Sequence, residues 1–293
     1  MITIPTAPIT SPGVYDIPAE TYHADPVPGG SLSASGARRL LPPSCPARYR
    51  WWADHHEPPR REYDLGHAAH TLILGAGPQL VVVDAGDWRT KAARQARDDA
   101  HAAGHVPLLT ADHDTVQAMA TALRGHPVAA ALLDPARMWP EQTLIWRDHP
   151  TGVWRRARLD TLPRPDTSMG SRMILADYKT TGKSADPDSI ERAVHDHGYH
   201  IQAAWYLAGV EALGLADTAA YLLIVQERDP PYLVTVAEIA TGALRIGRQL
   251  ARRAINTYAR CVAAGRWPGY CDDVAYVSLP AWALRQHAEE TTP

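Results

Sequence analysis

Three strand-like runs in close succession, at residues 143–146, 153–160 and 173–179, constrain this chain more than any other feature. The first two are joined by turn-forming residues, Asp148-His149-Pro150-Thr151-Gly152. A helical segment at 199–213 follows and is stopped by Gly214. Two further strand candidates, 220–226 and 232–237, flank Asp229-Pro230-Pro231, and a long helix over 241–264 ends at Gly265. Helix, three strands, helix, two strands is the order of an α/β sandwich, a central mixed sheet flanked by helices.

The second and third strands each end on chemistry. Arg155-Arg156-Ala157-Arg158-Leu159 runs into Asp160, and the apolar run Met173-Ile174-Leu175-Ala176 runs into Asp177-Tyr178-Lys179. Residues at i and i+2 of a strand share a face, so Asp177 and Lys179 point together, as do Trp154, Arg156, Arg158 and Asp160. Two carboxylates offer hard oxygen ligands that select Mg²⁺ or Mn²⁺ over zinc. A cation held there can polarise a scissile phosphate and activate water. Lys179 is suited to hold or help deprotonate that water and to offset charge in the transition state. Arg156 and Arg158 lead up to the carboxylate and suit a cleft that grips DNA phosphates. Glu141, just before the first strand, adds another candidate metal carboxylate.

Upstream, residues 64–74 read as an amphipathic helix carrying His67 and His70, and His70 is a candidate metal ligand. The glutamate of a His-Glu-x-x-His zinc site is absent. On the helix after the third strand, Gln202 and Tyr206 are four apart and share a face. Residues 1–30 are rich in Pro and Gly and read as an extended arm. A helix over 36–41 is broken by Pro42-Pro43, and a second short helix carries Arg48, Tyr49, Trp51 and Trp52. Residues 80–83 read as a short strand, and 87–103 and 111–123 as surface helices. Arg38, Arg39, Arg48 and Arg50 interleave with aromatics, a pattern fit for strand contact by charge and stacking. The alternative is a helix packing its Trp residues into the core. Arg245, Arg248 and Arg252 form a stripe on the long helix that either follows a DNA backbone or is a solvated face. His195, His197 and His200 read as a polar helix entry rather than a metal site.

In order, Gly66-x-x-x-His70, Asp160, Asp177-x-Lys179 and Gln202-x-x-x-Tyr206 resemble the PD-(D/E)XK nuclease superfamily. The spacing is similar to that of RecE-like (exodeoxyribonuclease VIII-type) phage and prophage exonucleases, related to lambda exonuclease and the RecB nuclease domain. Those also carry a Tyr-x-x-Asp/Pro arm before a Leu-Ser-x-Ser segment, here Tyr22 to Ser35, and Trp-Pro-Gly-Tyr and Leu-Pro-x-Trp segments, here at Trp267 and Leu279. The resemblance implies a restriction-endonuclease-like αβββαβ core in which His70, Asp160 and Asp177 bind metal with a neighbouring carbonyl, that of Ala176 or Tyr178. It implies Lys179 as the catalytic lysine, with Gln202 and Tyr206 lining the site. Leu159 replaces the proline of the family's name motif, and Asp177 stands where many members have Glu. The resemblance also implies hydrolysis of one strand from ends of linear duplex DNA with 5′→3′ polarity, in phage-type recombination. Ring-shaped homo-oligomers and a single-strand annealing protein as partner complete what it implies.

Length alone, 293 residues, suggests about two domains of ~150. The motifs span most of the chain, so the expectation is an arm (1–30), one nuclease domain (31–285) and a tail (286–293). Within the domain, 31–135 is a helical elaboration, 136–240 the catalytic core and 241–264 the C-terminal helix. A formal charge of −3 gives no global field toward nucleic acid, so binding must come from local basic stripes. Cys45, Cys261 and Cys271 make neither a disulfide framework nor the four thiolates of an iron–sulfur cluster, so no cluster is expected. The N-terminus has no secretory pattern and the apolar runs are too short to span a bilayer, so a cytoplasmic protein with no membrane contact is expected. Two alternatives remain: a structure-specific endonuclease on the same core, and a non-catalytic DNA-binding protein. A zinc hydrolase built on His67, His70 and the His195–His200 cluster is a third.

Overall fold

A computed structural model describes residues 2–5, 8–55, 64–165 and 172–290. In chain order the N-terminal part contains β1 (Ile2–Thr3), β2 (Gly13–Tyr15), α1 (Ala19–His23), β3 (Leu32–Ser33), α2 (Ala34–Arg39) and α3 (Pro46–Asp54). There follow α4 (Asp64–Leu74), β4 (Leu80–Val83), α5 (Lys91–Ala102), β5 (Val106–Leu109), α6 (Thr110–Gly125) and α7 (Pro127–Leu132). The core comprises β6 (Met138–Arg147), β7 (Trp154–Pro163), β8 (Arg172–Thr181), α8 (Pro187–Asp196), α9 (Tyr199–Ala212) and β9 (Thr218–Glu227). β10 (Val234–Glu238), α10 (Thr241–Ala264) and α11 (Ala281–Glu290) complete it.

The α4–β6–β7–β8–α9–β9 succession gives the expected αβββαβ order. The backbone ladders divide it into a five-stranded sheet, β1-β2-β6-β7-β3, and a three-stranded sheet, β10-β9-β8, beside the small parallel pair β4-β5. β6 and β7 form an antiparallel hairpin, and β8 runs parallel to β9. The two larger sheets meet along the far half of β7, and side chains make the joint. The Thr161 hydroxyl donates to the Ala176 carbonyl and accepts from the Ala176 N–H, both at 2.9 Å. One residue earlier, the Asp160 carboxylate accepts the Tyr178 N–H at 2.8 Å. Backbone groups that a ladder would have satisfied are satisfied by side chains instead.

Alternation along the strands sends Leu144, Trp146, Leu159, Leu175, Tyr221 and Leu223 into the core under α9 and α10. Ala176, Tyr178 and Ile224 face the opposite layer, built from α4 and α6. In α6, Val116, Met119, Ala120 and Leu123 recur at helical spacing and are all buried. The central helix α9 is covered on nearly every side, from His200 to Val210. Two glycines let it come that close to its neighbours. A methyl at Gly209 would fall 3.0 Å from the Trp146 ring, and one at Gly247 of α10 would collide with the His200 carbonyl. Arg252 of α10 adds a bidentate pair to Asp148, both contacts at 2.8 Å, fixing the helix to the β6–β7 turn.

Several expectations need correction. The residues expected as an extended arm also carry sheet and core positions, since β2 pairs with β6 and Ile9, Tyr15, Ile17, Tyr22 and Val27 form their own core with Ile145. That segment was hard to read because its strands are two or three residues long, too short to show a period. β5, α7, α8 and α11 were also missed. α11 spans the boundary expected at residue 285 between the nuclease domain and a tail, of which residues 291–293 lie outside the described residues. Arg252, on the stripe read either as following a DNA backbone or as a solvated face, is engaged with Asp148. Among the described residues no helix is long and apolar enough to cross a membrane.

Gly247→Ala is expected to destabilise the fold by about 1–3 kcal/mol, because a backbone carbonyl blocks the added methyl. Urea unfolding measures it, and an unchanged midpoint would mean that α9 and α10 do not meet at this glycine.

Candidate active site

The site forms where the two sheets meet. Glu141 enters from β6, Asp160 from β7, Asp177 and Lys179 from β8, His70 from α4 and Gln202 from α9. The β6–β7 ladder pairs Pro140 with Thr161 and Gln142 with Leu159, so Glu141 stands opposite Asp160. Glu141 itself does not pair there. Its φ of 58° lies in the left-handed region that non-glycine residues rarely adopt, typically at a cost of about 1–3 kcal/mol.

His70 bridges the two carboxylates that face each other. Its Nδ1 lies 3.5 Å from Glu141 Oε1 and its Nε2 lies 3.2 Å from Asp160 Oδ2. One ligand atom from each of His70, Glu141 and Asp160 falls within 4.8 Å of the others, the one such grouping among the described residues. On the other side of the Tyr178 backbone, Asp177 is only 1% exposed and is held on both oxygens. Gln202 Nε2 donates to Oδ1 at 2.9 Å, and Lys179 forms an ion pair with Oδ2. Lys179 in turn lies 5.5 Å from the Tyr199 ring centre. The buried Tyr206 interacts with Gln202 and packs edge-on against Tyr221, with ring centres 5.9 Å apart. The charges of Asp177 and Asp160 also act on the Tyr206 hydroxyl.

Residues 88–280, well over half of the chain, match a family described as "PDDEXK-like domain of unknown function (DUF3799)". The chain belongs to this PDDEXK-like family. Its architecture is also similar to a solved structure from Eubacterium rectale described as a "Putative exonuclease". The TM-score is 0.60 at 11% identity, over 92% of this chain and 98% of the other. That likeness bears on the fold. No curated protein matches the chain.

The donor set of this PDDEXK-like site, an imidazole with carboxylates and no thiolate, fits a hard divalent cation. His70, Glu141 and Asp160 are already gathered, and Asp177 adjoins them through the Tyr178 backbone. The His195–His200 cluster contributes nothing to it. His195 is exposed, while His200 is buried with Nδ1 2.9 Å from the Val194 carbonyl.

The arginines expected to meet DNA are largely engaged within the protein. Arg156 is buried and contacts Asp25 at 2.7 Å and the Ser31 carbonyl at 2.6 Å. Arg158 pairs with Glu141 and donates to the Ile17 carbonyl at 2.7 Å. Alternation placed both on the correct strand face, yet N-terminal residues whose arrival the sequence did not signal cover that face. Arg38 donates to the Asp196 carbonyl at 2.5 Å, and Arg39 lies 4.4 Å from the Trp52 ring centre. Arg48 lies 5.8 Å from the Tyr270 ring centre. Trp51, at 55% exposure, stacks on His55, whereas Tyr49 is buried. Sequence reasoning missed Thr161, Tyr199 and Tyr221. Tyr199 stands three residues before Gln202 on one helix face, so its spacing was a usable signal. Nothing local marks Thr161 as a bridge between sheets.

Burial, reinforced by the Asp160 charge, pushes the Asp177 carboxyl up to about 6. Burial opposes the charge on His70, but Asp160 and Glu141 outweigh it and hold the ring's affinity for a proton above the ordinary value. Lys179 follows the same pattern: burial lowers its pKa, Asp177 and Asp160 raise it further, and the ammonium form wins. Asp160 is opposed by burial but ends below its usual range, chiefly because of His70.

A group that binds its proton more tightly when folded loses stabilising power as pH rises through its folded pKa. For Asp177 the window runs from the ordinary 3.8 to about 6, and for His70 it lies upward of 6.5. Without a bound cation the protein should therefore lose thermal stability as pH rises from about 3.8 through about 6, and again above 6.5. Asp177→Asn should flatten the lower part of that slope, and scanning calorimetry across the range checks both. Because a cation must displace the same protons, its affinity should tighten over the same interval.

Proposed function

We propose that this chain is a metal-dependent exodeoxyribonuclease of the RecE-like type, hydrolysing phosphodiester bonds from the ends of linear duplex DNA. The observation that carries the reading is the placement of Asp177 and Lys179 as an ion pair beside the His70–Glu141–Asp160 cluster. Family membership supports nuclease chemistry, and the neighbour described as an exonuclease supports action from ends.

His70, Glu141, Asp160 and Asp177 would hold Mg²⁺ or Mn²⁺, which supplies Lewis-acid polarisation of the phosphate and a more acidic water. The chain's own groups do the rest. Lys179 is favoured as an ammonium, so its task is to orient water and offset negative charge that builds on the phosphoryl oxygens. Gln202 fixes the Asp177 carboxylate through Oδ1 and leaves Oδ2 to Lys179. Tyr178 N–H holds the Asp160 carboxylate in place from the strand backbone. Arg158 holds Glu141, so the left-handed residue is tethered from its side chain as well. Water is the nucleophile and no covalent enzyme intermediate forms.

The same reading assigns 5′→3′ polarity, cytoplasmic action in phage-type recombination, a ring-shaped homo-oligomer and a single-strand annealing protein as partner.

Linear duplexes labelled at the 5′ or the 3′ end, incubated with Mg²⁺ or with EDTA, test it beside a closed circle. Metal-dependent loss of linear DNA alone is the expected result, and cutting of the circle would point to an endonuclease instead. Asp177→Asn and Lys179→Ala should each lower the rate by about 100-fold or more. Full activity in either variant, folded by circular dichroism, would remove these residues from the mechanism.

A further inference from the structure

We infer that the cavity between the end of β8 and α8 is a subsite for a DNA phosphate, separate from the metal cluster and bordering it at Lys179; this rests on the nuclease reading above. The strand that delivers Asp177 and Lys179 continues through Thr180 and Thr181 into the cavity wall. The opposite wall is one face of α8, where Ser189, Arg192 and Asp196 recur at helical spacing. Lys183 enters from the connecting loop, and His197 and Tyr199 close the end toward α9.

Charge and size both point to phosphate. Lys179, Lys183 and Arg192 face the space against a single carboxylate, Asp196. Lys179 is committed to Asp177, and Lys183 acts electrostatically on Asp196. The Arg192 guanidinium makes no ion pair with any described residue. Hydroxyls of Thr180, Thr181, Ser184 and Ser189 line the same space and can donate to phosphate oxygens. The floor is apolar, from Ile190, Leu223 and Val225, and suits the sugar side of a nucleotide. The volume, about 170 Å³, is below the roughly 300–1,000 Å³ of pockets that enclose a whole ligand. It suits one unit of a longer polymer whose neighbouring unit lies at Lys179. A terminal phosphate and an internal one share this chemistry.

The test is equilibrium binding of two short duplexes, one 5′-phosphorylated and one ending in 5′-hydroxyl, measured in EDTA across a salt series. Wild type is compared with the double variant Lys183→Ala/Arg192→Ala, whose positions are exposed and outside the catalytic cluster. Loss of two phosphate contacts should weaken binding about 10-fold and reduce the salt slope by about 2. Equal loss on both duplexes assigns the cavity to an internal phosphate, and loss confined to the phosphorylated duplex assigns it to the terminal one. The charge-preserving pair Lys183→Arg/Arg192→Lys should restore affinity. Unchanged affinity and slope in the alanine variant would overturn the subsite, as would failure of wild type to bind either duplex. Cleavage with Mg²⁺, scored separately, decides the nuclease reading: binding that depends on Lys183 and Arg192 without turnover would sink that reading and leave the subsite standing.

Discussion

The structure turns on a joint where two sheets meet without a backbone ladder. At this seam the Thr161 hydroxyl serves both the N–H and the carbonyl of Ala176, and Asp160 takes the Tyr178 N–H. An ordinary ladder would draw β7 and β8 to the usual strand spacing of about 5 Å and satisfy these groups from the backbone. Replacing it with side chains makes Asp160 both a structural clasp and a member of the acidic cluster. The same clasp orders the candidate site, because it fixes β8 relative to β7 and hence Asp177 relative to His70 and Glu141.

Electrostatics at the seam follow from crowding. Three carboxylates, an imidazole and an ammonium share a partly buried space, and among them His70, Asp160, Asp177 and Lys179 shift one another's charge. Asp177, almost without solvent, holds a proton more readily than an ordinary carboxyl, while Lys179 beside it keeps its own. His70 draws a proton between Glu141 and Asp160.

Much of this was legible in the sequence because the core obeys simple periods. The α4 and α10 boundaries coincide with those expected, and β4 with residues 80–83, since apolar spacing and terminal glycines marked them. Asp177-x-Lys179 and Gln202-x-x-x-Tyr206 could be placed on shared faces because those faces repeat every two or nearly four residues. Long-range matters were not legible. Nothing near Arg156 or Arg158 showed that Asp25, Ser31 and Ile17 would return to occupy them. The left-handed backbone of Glu141 has no local cue such as glycine either, and its direction is set by Arg158 and His70 across the sheet.

Those N-terminal contacts have a consequence for the integrity of the whole chain. Two guanidinium groups on β7, the strand that carries Asp160, are compensated by residues more than a hundred positions earlier. A protein cut back to residue 32 would keep every member of the acidic cluster, yet lose the Asp25 and Ser31 partners of Arg156 and the Ile17 carbonyl that Arg158 contacts. The N-terminal residues thus belong to the setting of the site, and the unit that holds these charges is longer than the motifs.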